Sequence, residues 1–188
     1  MCGRYNFTVE QSDEVREILE KLNAKYQGKE VRKGEVYPTN LAPALIDENN
    51  DVTVAPSIWG FPKFDGKGVI INARAETAFE KKTFRDSLLN RRCIIPSTGF
   101  YEWDSEKRKH LFHLAGEGAL YMAGLYSFYK DEMRFVILTT DANESMKEVH
   151  HRMPLVIPKN EIDTWIRDYS ATNDLLKRVP PELVREVV

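Results

Sequence analysis

The chain has 188 residues, enough for one domain of generous size with a substantial core. Hydrophobic residues make up 42% and charged residues 30%, an ordinary globular balance, and no run approaches the roughly 20 apolar residues of a membrane helix. A formal net charge of −2 argues against a protein that coats nucleic acid through bulk basicity, though not against a local basic groove.

Met1-Cys2-Gly3-Arg4-Tyr5 opens the chain. Methionine before a small side chain is ordinarily trimmed, which would place a free α-amine and a thiol on adjacent carbons of Cys2. That amine titrates near about 8, against about 10.4 for lysine, so part of it is nucleophilic at neutral pH. It can condense with an aldehyde to a Schiff base, or it can serve as base while the thiol attacks a carbonyl. Small residues also occupy position 2 for no chemical reason. The segment has no apolar signal core, because Arg4, Glu10, Asp13 and Glu14 interrupt it. Two cysteines, Cys2 and Cys93, make no disulfide framework, and a cytosolic address is expected.

Thr8-Val9-Glu10-Gln11 reads as a capping box, and Val15, Ile18, Leu19 and Leu22 follow at helical spacing to a stop before Gly28. Leu41 to Ile46 and Val52 to Trp59 flank Asn49-Asn50-Asp51 and predict a β-hairpin. Val69-Ile70-Ile71 predicts a short buried strand, and Ala78 to Asn90 a helix. Cys93 to Pro96 predicts an interior strand in which Cys93 is inert core, and Gly99 to Trp103 follows it. Strands are expected at Leu111–Leu114, Ala119–Tyr129, Met133–Thr140 and Leu155–Ile157, with helices at Asn143–Val149 and Ile162–Ile166. Few strand–helix–strand crossovers are visible. The pattern predicts a single α+β domain over residues 1–188, built on a curved, mostly antiparallel sheet or barrel with short flanking helices.

Three segments put polar groups where core strands end. Asn72-Ala73-Arg74 follows Val69-Ile70-Ile71, as a strand terminus turning polar also would. Glu102 lies between Tyr101 and Trp103, where partial desolvation would raise its pKa and suit it to proton donation. Simple alternation would instead turn both aromatic residues inward and leave Glu102 in solvent. His150-His151-Arg152 offers a side chain that titrates near neutrality and a forked donor matched to phosphate, or else a solvated loop. His110 and His113, three apart on a strand, face opposite ways and do not form a metal pair. Phosphate-loop, dinucleotide-binding, zinc-protease and serine-hydrolase signatures are absent.

The ordered set Cys2-Gly3-Arg4-Tyr5, Asn72-Ala73-Arg74-Ala75-Glu76-Thr77, Gly99-Phe100-Tyr101-Glu102-Trp103 and His150-His151-Arg152-Met153-Pro154 resembles the SOS response-associated peptidase, or abasic-site processing, family. Tyr37 to Pro43 and Trp59-Gly60-Phe61-Pro62 add to the likeness, which spans Cys2 to about Ile157. The resemblance implies a DNA damage response activity. It implies that Cys2 forms a covalent thiazolidine crosslink with an abasic site in single-stranded DNA, with no metal or organic cofactor and no membrane. It carries over Cys2 as nucleophile, Glu102 as acid/base, Asn72 as the residue orienting the amine or sugar, and His150 as the proton carrier in Schiff-base resolution or strand cleavage. Arg4, Arg74 and Arg152 are implied as phosphate contacts, Trp59 and Phe61 as base-stacking rings, and Pro38 and Asn40 as groove lining. The rival expectations are a thiol peptidase or N-terminal nucleophile hydrolase acting through the same cysteine, and a non-catalytic reader of modified bases.

Overall fold

In the computed structural model, which describes residues 2–116 and 118–188, the first strand is β1 (Tyr5–Phe7). Thr8 does not cap the helix that follows: its hydroxyl donates to Asn6 Oδ1, Val9–Gln11 forms a 3₁₀ turn, and the cap is Ser12, whose Oγ accepts from Val15 N. Helix α1 (Asp13–Lys25) then buries Val15, Ile18, Leu19 and Leu22, the stripe its spacing predicts.

The chain returns as β2 (Gly34–Val36) and enters the hairpin β3 (Leu41–Glu48) and β4 (Asp51–Trp59). Asn49 and Asn50 turn it with φ of 57° and 64°, the pair of left-handed residues a two-residue hairpin loop needs. Next come the small hairpin β5 (Phe61–Pro62) and β6 (Val69–Ile70), then β7 (Asn72–Arg74). Val69 and Ile70 are half-buried rather than core. Helix α2 (Lys82–Asn90) starts later than the sequence suggests, because residues 78–80 form a turn in which Glu80 N and Lys81 N both donate to Thr77 O.

The remaining strands are β8 (Arg92–Ser97), β9 (Gly99–Trp103), β10 (Lys109–His113), β11 (Leu120–Tyr129), β12 (Glu132–Asp141) and β13 (Arg152–Pro154). Helices α3 (Ile162–Arg167) and α4 (Thr172–Leu176) lead to β14 (Val184–Val187). Residues 143–149 form turns, not the expected helix: Asn143 O receives both Met146 N and Lys147 N, and its side chain is spent on Ser145 and on the Pro180 and Pro181 carbonyls. Leu155–Ile157 pairs its backbone with Tyr121, Ala123 and Leu138, but only as a bridge.

Strands β11, β8, β3, β4 and β12 pair in a closed ring, since β11 also pairs with β12. This is the expected barrel, antiparallel throughout except where β4 lies parallel to β12. β12 runs on past the ring to pair with β7 and β13. A second sheet, β14-β10-β9-β1-β2, packs beside it. On one face of that sheet Tyr5 sits opposite Val36 and Phe100, Phe100 opposite Phe112, and Glu102 opposite His110. Tyr5 meets Trp59 at 5.2 Å between ring centroids, joining sheet to barrel. Gly99 starts β9 at φ +156°, where a Cβ would lie 2.7 Å from Phe112 O, so no side chain fits. Buried Arg92 caps two helices at once, donating to Leu88 and Leu89 O of α2 and to Trp165 and Ile166 O of α3.

Candidate active site around Cys2

Cys2 stands just ahead of β1 and is buried. Asn72, the first residue of β7, donates its Nδ2 to Cys2 O at 3.0 Å, and Cys2 Sγ faces Arg4 O at 3.6 Å. A strand 70 residues away in the chain thus holds Cys2 by its backbone. Burial pushes the Cys2 thiol well above its ordinary range, and the negative charge of Glu102 adds to the effect. At neutral pH the sulfur is therefore a thiol, not a preformed thiolate.

Glu102 is only 5% exposed and points inward, which decides the alternation question in favour of a desolvated carboxylate. Tyr101, also buried, and half-buried Trp103 turn to the opposite face of β9. His150 follows the turns after β12. Its Nδ1 accepts from Arg152 N at 2.9 Å, which leaves the other ring nitrogen to carry the proton in the neutral imidazole. Burial lowers its pKa from the ordinary 6.5, with the Glu102 charge acting the other way, so His150 is neutral at pH 7. His151 stacks on it at 4.5 Å but is exposed.

Buried polar atoms are normally paired. In three residues that border this site, Asn72 Oδ1, Tyr5 Oη and Arg4 Nε are buried without a hydrogen-bond partner among the described residues. Tyr5 is also electrostatically linked to Cys2: burial raises its phenol pKa and the Cys2 sulfur adds to the rise.

Several expected contacts need correction. Trp59 and Phe61 are completely buried and offer no face to a base. Trp59 stacks at 6.2 Å on Phe135 and donates its Nε1 to Ile71 O, while Phe61 packs on Phe84 and Tyr129. Arg152 is 3% exposed and grips no phosphate. Its fork holds Glu76 through two bonds of 2.8 and 2.9 Å, with further bonds to Asp141 Oδ1 and Thr139 O. Asn40 is committed to a turn, accepting Tyr37 N at its Oδ1, and Pro38 shapes that same turn ahead of Thr39 at φ 73°. Arg74, at the end of β7, is exposed.

Arg4 is ordered by groups that the sequence reading passed over. Its guanidinium lies 4.4 Å from the Tyr37 ring and 4.9 Å from that of Trp103, and Glu35 pairs with it at 3.1 Å. Glu35 also binds Lys109, which sits 4.0 Å from the Tyr101 ring. Phe64 was missed as well. It is fully exposed on the loop of the β5–β6 hairpin, between Lys63 and Lys67, and the hairpin leads directly into Asn72. The available signal was one aromatic residue inside a Pro-Lys-Phe-Asp-Gly-Lys-Gly turn, where burial has no use for it.

The chain is similar to known proteins in both sequence and structure. A family model described as SOS response associated peptidase (SRAP) matches residues 1–186. The abasic site processing protein YoaM of Bacillus subtilis is 34% identical over 165 residues, 77% of this chain and 73% of that protein. The abasic site processing protein YoqW of the same organism is 30% identical over 197 residues, covering 94% and 85%. A crystal structure of a protein from Bacteroides thetaiotaomicron superposes with a TM-score of 0.80 at 25% identity, covering 100% of this chain and 92% of the other.

Proposed function

The chain belongs to the SOS response associated peptidase (SRAP) family, and from that premise we propose that it captures abasic sites in single-stranded DNA as a covalent thiazolidine on Cys2. Its named relatives are abasic site processing proteins, which supports the substrate class. The observation that carries the reading is Cys2 itself, anchored by Asn72 and enclosed near Glu102 and His150 with unspent polar atoms around it.

Once Met1 is removed, the Cys2 α-amine adds to C1′ of the ring-opened deoxyribose. Glu102 delivers a proton to the ring oxygen as the C1′–O4′ bond breaks, and the anomeric hydroxyl gives up its own. Amine and aldehyde lose one water to form the imine. Cys2 sulfur then adds to the imine carbon while its proton passes to nitrogen, closing a five-membered ring that proximity strongly favours. In this reading Asn72 Oδ1 accepts from the amine, and His150 moves protons between carbinolamine and water. A buried protonated thiol suits this order, with nitrogen first and sulfur second. It does not suit a peptidase, which needs a thiolate from the start. Arg74 and Arg4 contact the phosphates, Pro38 lines the strand's path, and Phe64 replaces Trp59 and Phe61 as the stacking ring.

The test is to incubate Met-trimmed protein with a single-stranded oligonucleotide carrying one abasic site, then measure denaturation-resistant adduct by gel and mass. Cys2→Ala is expected to abolish the thiazolidine mass, and Glu102→Gln to slow its formation at least about 100-fold. An N-terminal tag should also abolish it by converting the amine to an amide. An unchanged adduct in Cys2→Ala overturns the assignment, and Glu102-dependent peptide cleavage without adduct would favour the peptidase.

A further inference from the structure

His110 has no part in the chemistry above, yet it lies across from Glu102 in the β9–β10 ladder. Directly opposed residues share a face with Cβ atoms about 5 Å apart. Both side chains are buried, at 4% and 5% exposure. The His110 ring is held from behind: its Nε2 is 2.9 Å from Asp104 Oδ2. Asp104 is itself fixed, accepting from the backbone N–H groups of Glu106 and Arg108 and from Arg108 Nε. The His110 bond, followed by those from Arg108, holds the Asp104 carboxyl well below the usual range, so it is an ionised acceptor. The proton on Nε2 is therefore assigned by its partner, and the open question is what Nδ1 does. Nδ1 is buried and has no hydrogen-bond partner among the described residues.

The other groups facing the ring do not account for it. Phe112, on its own strand, packs at 6.4 Å. On β14 the register partner is Val187, and the nearest charge on that face, Arg185, is paired with Glu148 at 3.1 Å. Lys109 and Glu35 lie on the opposite face and are bound to each other. His150 feels the charge of Glu102.

We propose that His110, oriented by Asp104, is a positioning residue for Glu102, relaying a proton between its Nδ1 and that carboxyl through one bridging water, since Nδ1 makes no direct hydrogen bond among the described residues. With one proton in the pair, it sits either on Glu102 or on Nδ1, and the water gives up one proton as it takes up the other. Either way the acid that opens the sugar ring keeps a proton source away from bulk water. The inference rests on Glu102 being the acid/base of the proposed capture reaction, but its physical core, the coupling of the two side chains, can be read without DNA.

Two measurements test it. In the first, the imidazole carbon-bound proton shift of His110 is followed against pH by NMR in otherwise native protein and in Glu102→Gln. Coupling predicts that the His110 midpoint moves by at least about one pH unit when the carboxyl is removed. A midpoint that stays in place overturns the proposal, whether or not abasic DNA is ever captured. In the second, the adduct-forming rate is profiled from pH 5 to 9 for native protein, His110→Gln and Asp104→Asn. His110→Gln is expected to lose 10-fold or more and one limb of the profile, and Asp104→Asn to shift that limb to lower pH. Equal loss at every pH with the native profile shape would make His110 merely structural. If native protein forms no adduct at all, the functional reading fails, and the NMR comparison still decides the coupling.

Discussion

Single residues show how differently the same side chain can be used. Arg74 and Arg152 both follow polar strand ends and look equivalent in sequence. In the fold one is exposed, and the other is consumed by Glu76, Asp141 and Thr139. Arg152→Ala should therefore act on stability, costing about 3 kcal/mol in chemical unfolding, with single-strand affinity of the folded protein nearly unchanged. Glu76 extends the argument to pH. Burial alone would raise its pKa, but the Arg152 bonds prevail and lower it from 4.5. A depressed carboxylate stabilises the fold fully above its unfolded value, and loses that contribution as pH falls through the folded one. Melting temperature is thus expected to drop as pH goes below about 4.5, and the drop should be shallower in Glu76→Gln, which has no charge left to lose.

At the level of elements, the β5–β6 hairpin is the one whose sequence fits neither core nor plain turn. Its loop is pinned by Gly66 N to Lys63 O at 3.0 Å and by Lys67 N to Asp65 Oδ1 at 2.9 Å, and it carries Phe64 wholly into solvent. Stacking on a base is worth roughly 1–3 kcal/mol, so Phe64→Ala should weaken single-strand binding about 5- to 150-fold. The melting temperature should hardly move, because the ring buries nothing. A Trp59→Ala variant should do the reverse, unfolding the junction of the two sheets. Fluorescence anisotropy on an abasic-free oligonucleotide, beside thermal melts, separates the two. Element types were legible because strand and helix periods differ: α1 and the hairpin β3–β4 fall where apolar spacing and the Asn49-Asn50 turn require. Residues 143–149 were misread because helical spacing was visible but the diversion of Asn143's side chain to distant prolines was not.

For the whole molecule, the modest charge sets a limit on binding. With a net charge of −2, attraction to DNA must come from local groups, chiefly Arg74, Arg4 and the lysines beside Phe64. Each phosphate neutralised on a single strand adds about 0.7 to the slope of log affinity against log salt. We expect a shallow slope of about 2 to 3 for the native chain, reduced by about 0.7 in Arg74→Ala. A slope two or three times larger would mean that a far wider basic surface is engaged. No helix among the described residues is long and apolar enough to cross a membrane.

Sequence by itself determined the strand-rich α+β character, the buried stripe of α1, the inert Cys93 strand, and the identity of the segments bearing Cys2, Asn72, Glu102 and His150. Those follow from periodicity and residue chemistry, which are local. Tertiary structure decided which face Glu102 takes, that Arg152, Trp59 and Phe61 are structural, that Phe64 is free, and that His110 stands opposite Glu102. Each of these depends on strand register and on partners 8 to 76 residues away in the chain. A one-residue slip would invert every such facing, and no single segment contains the information that prevents it.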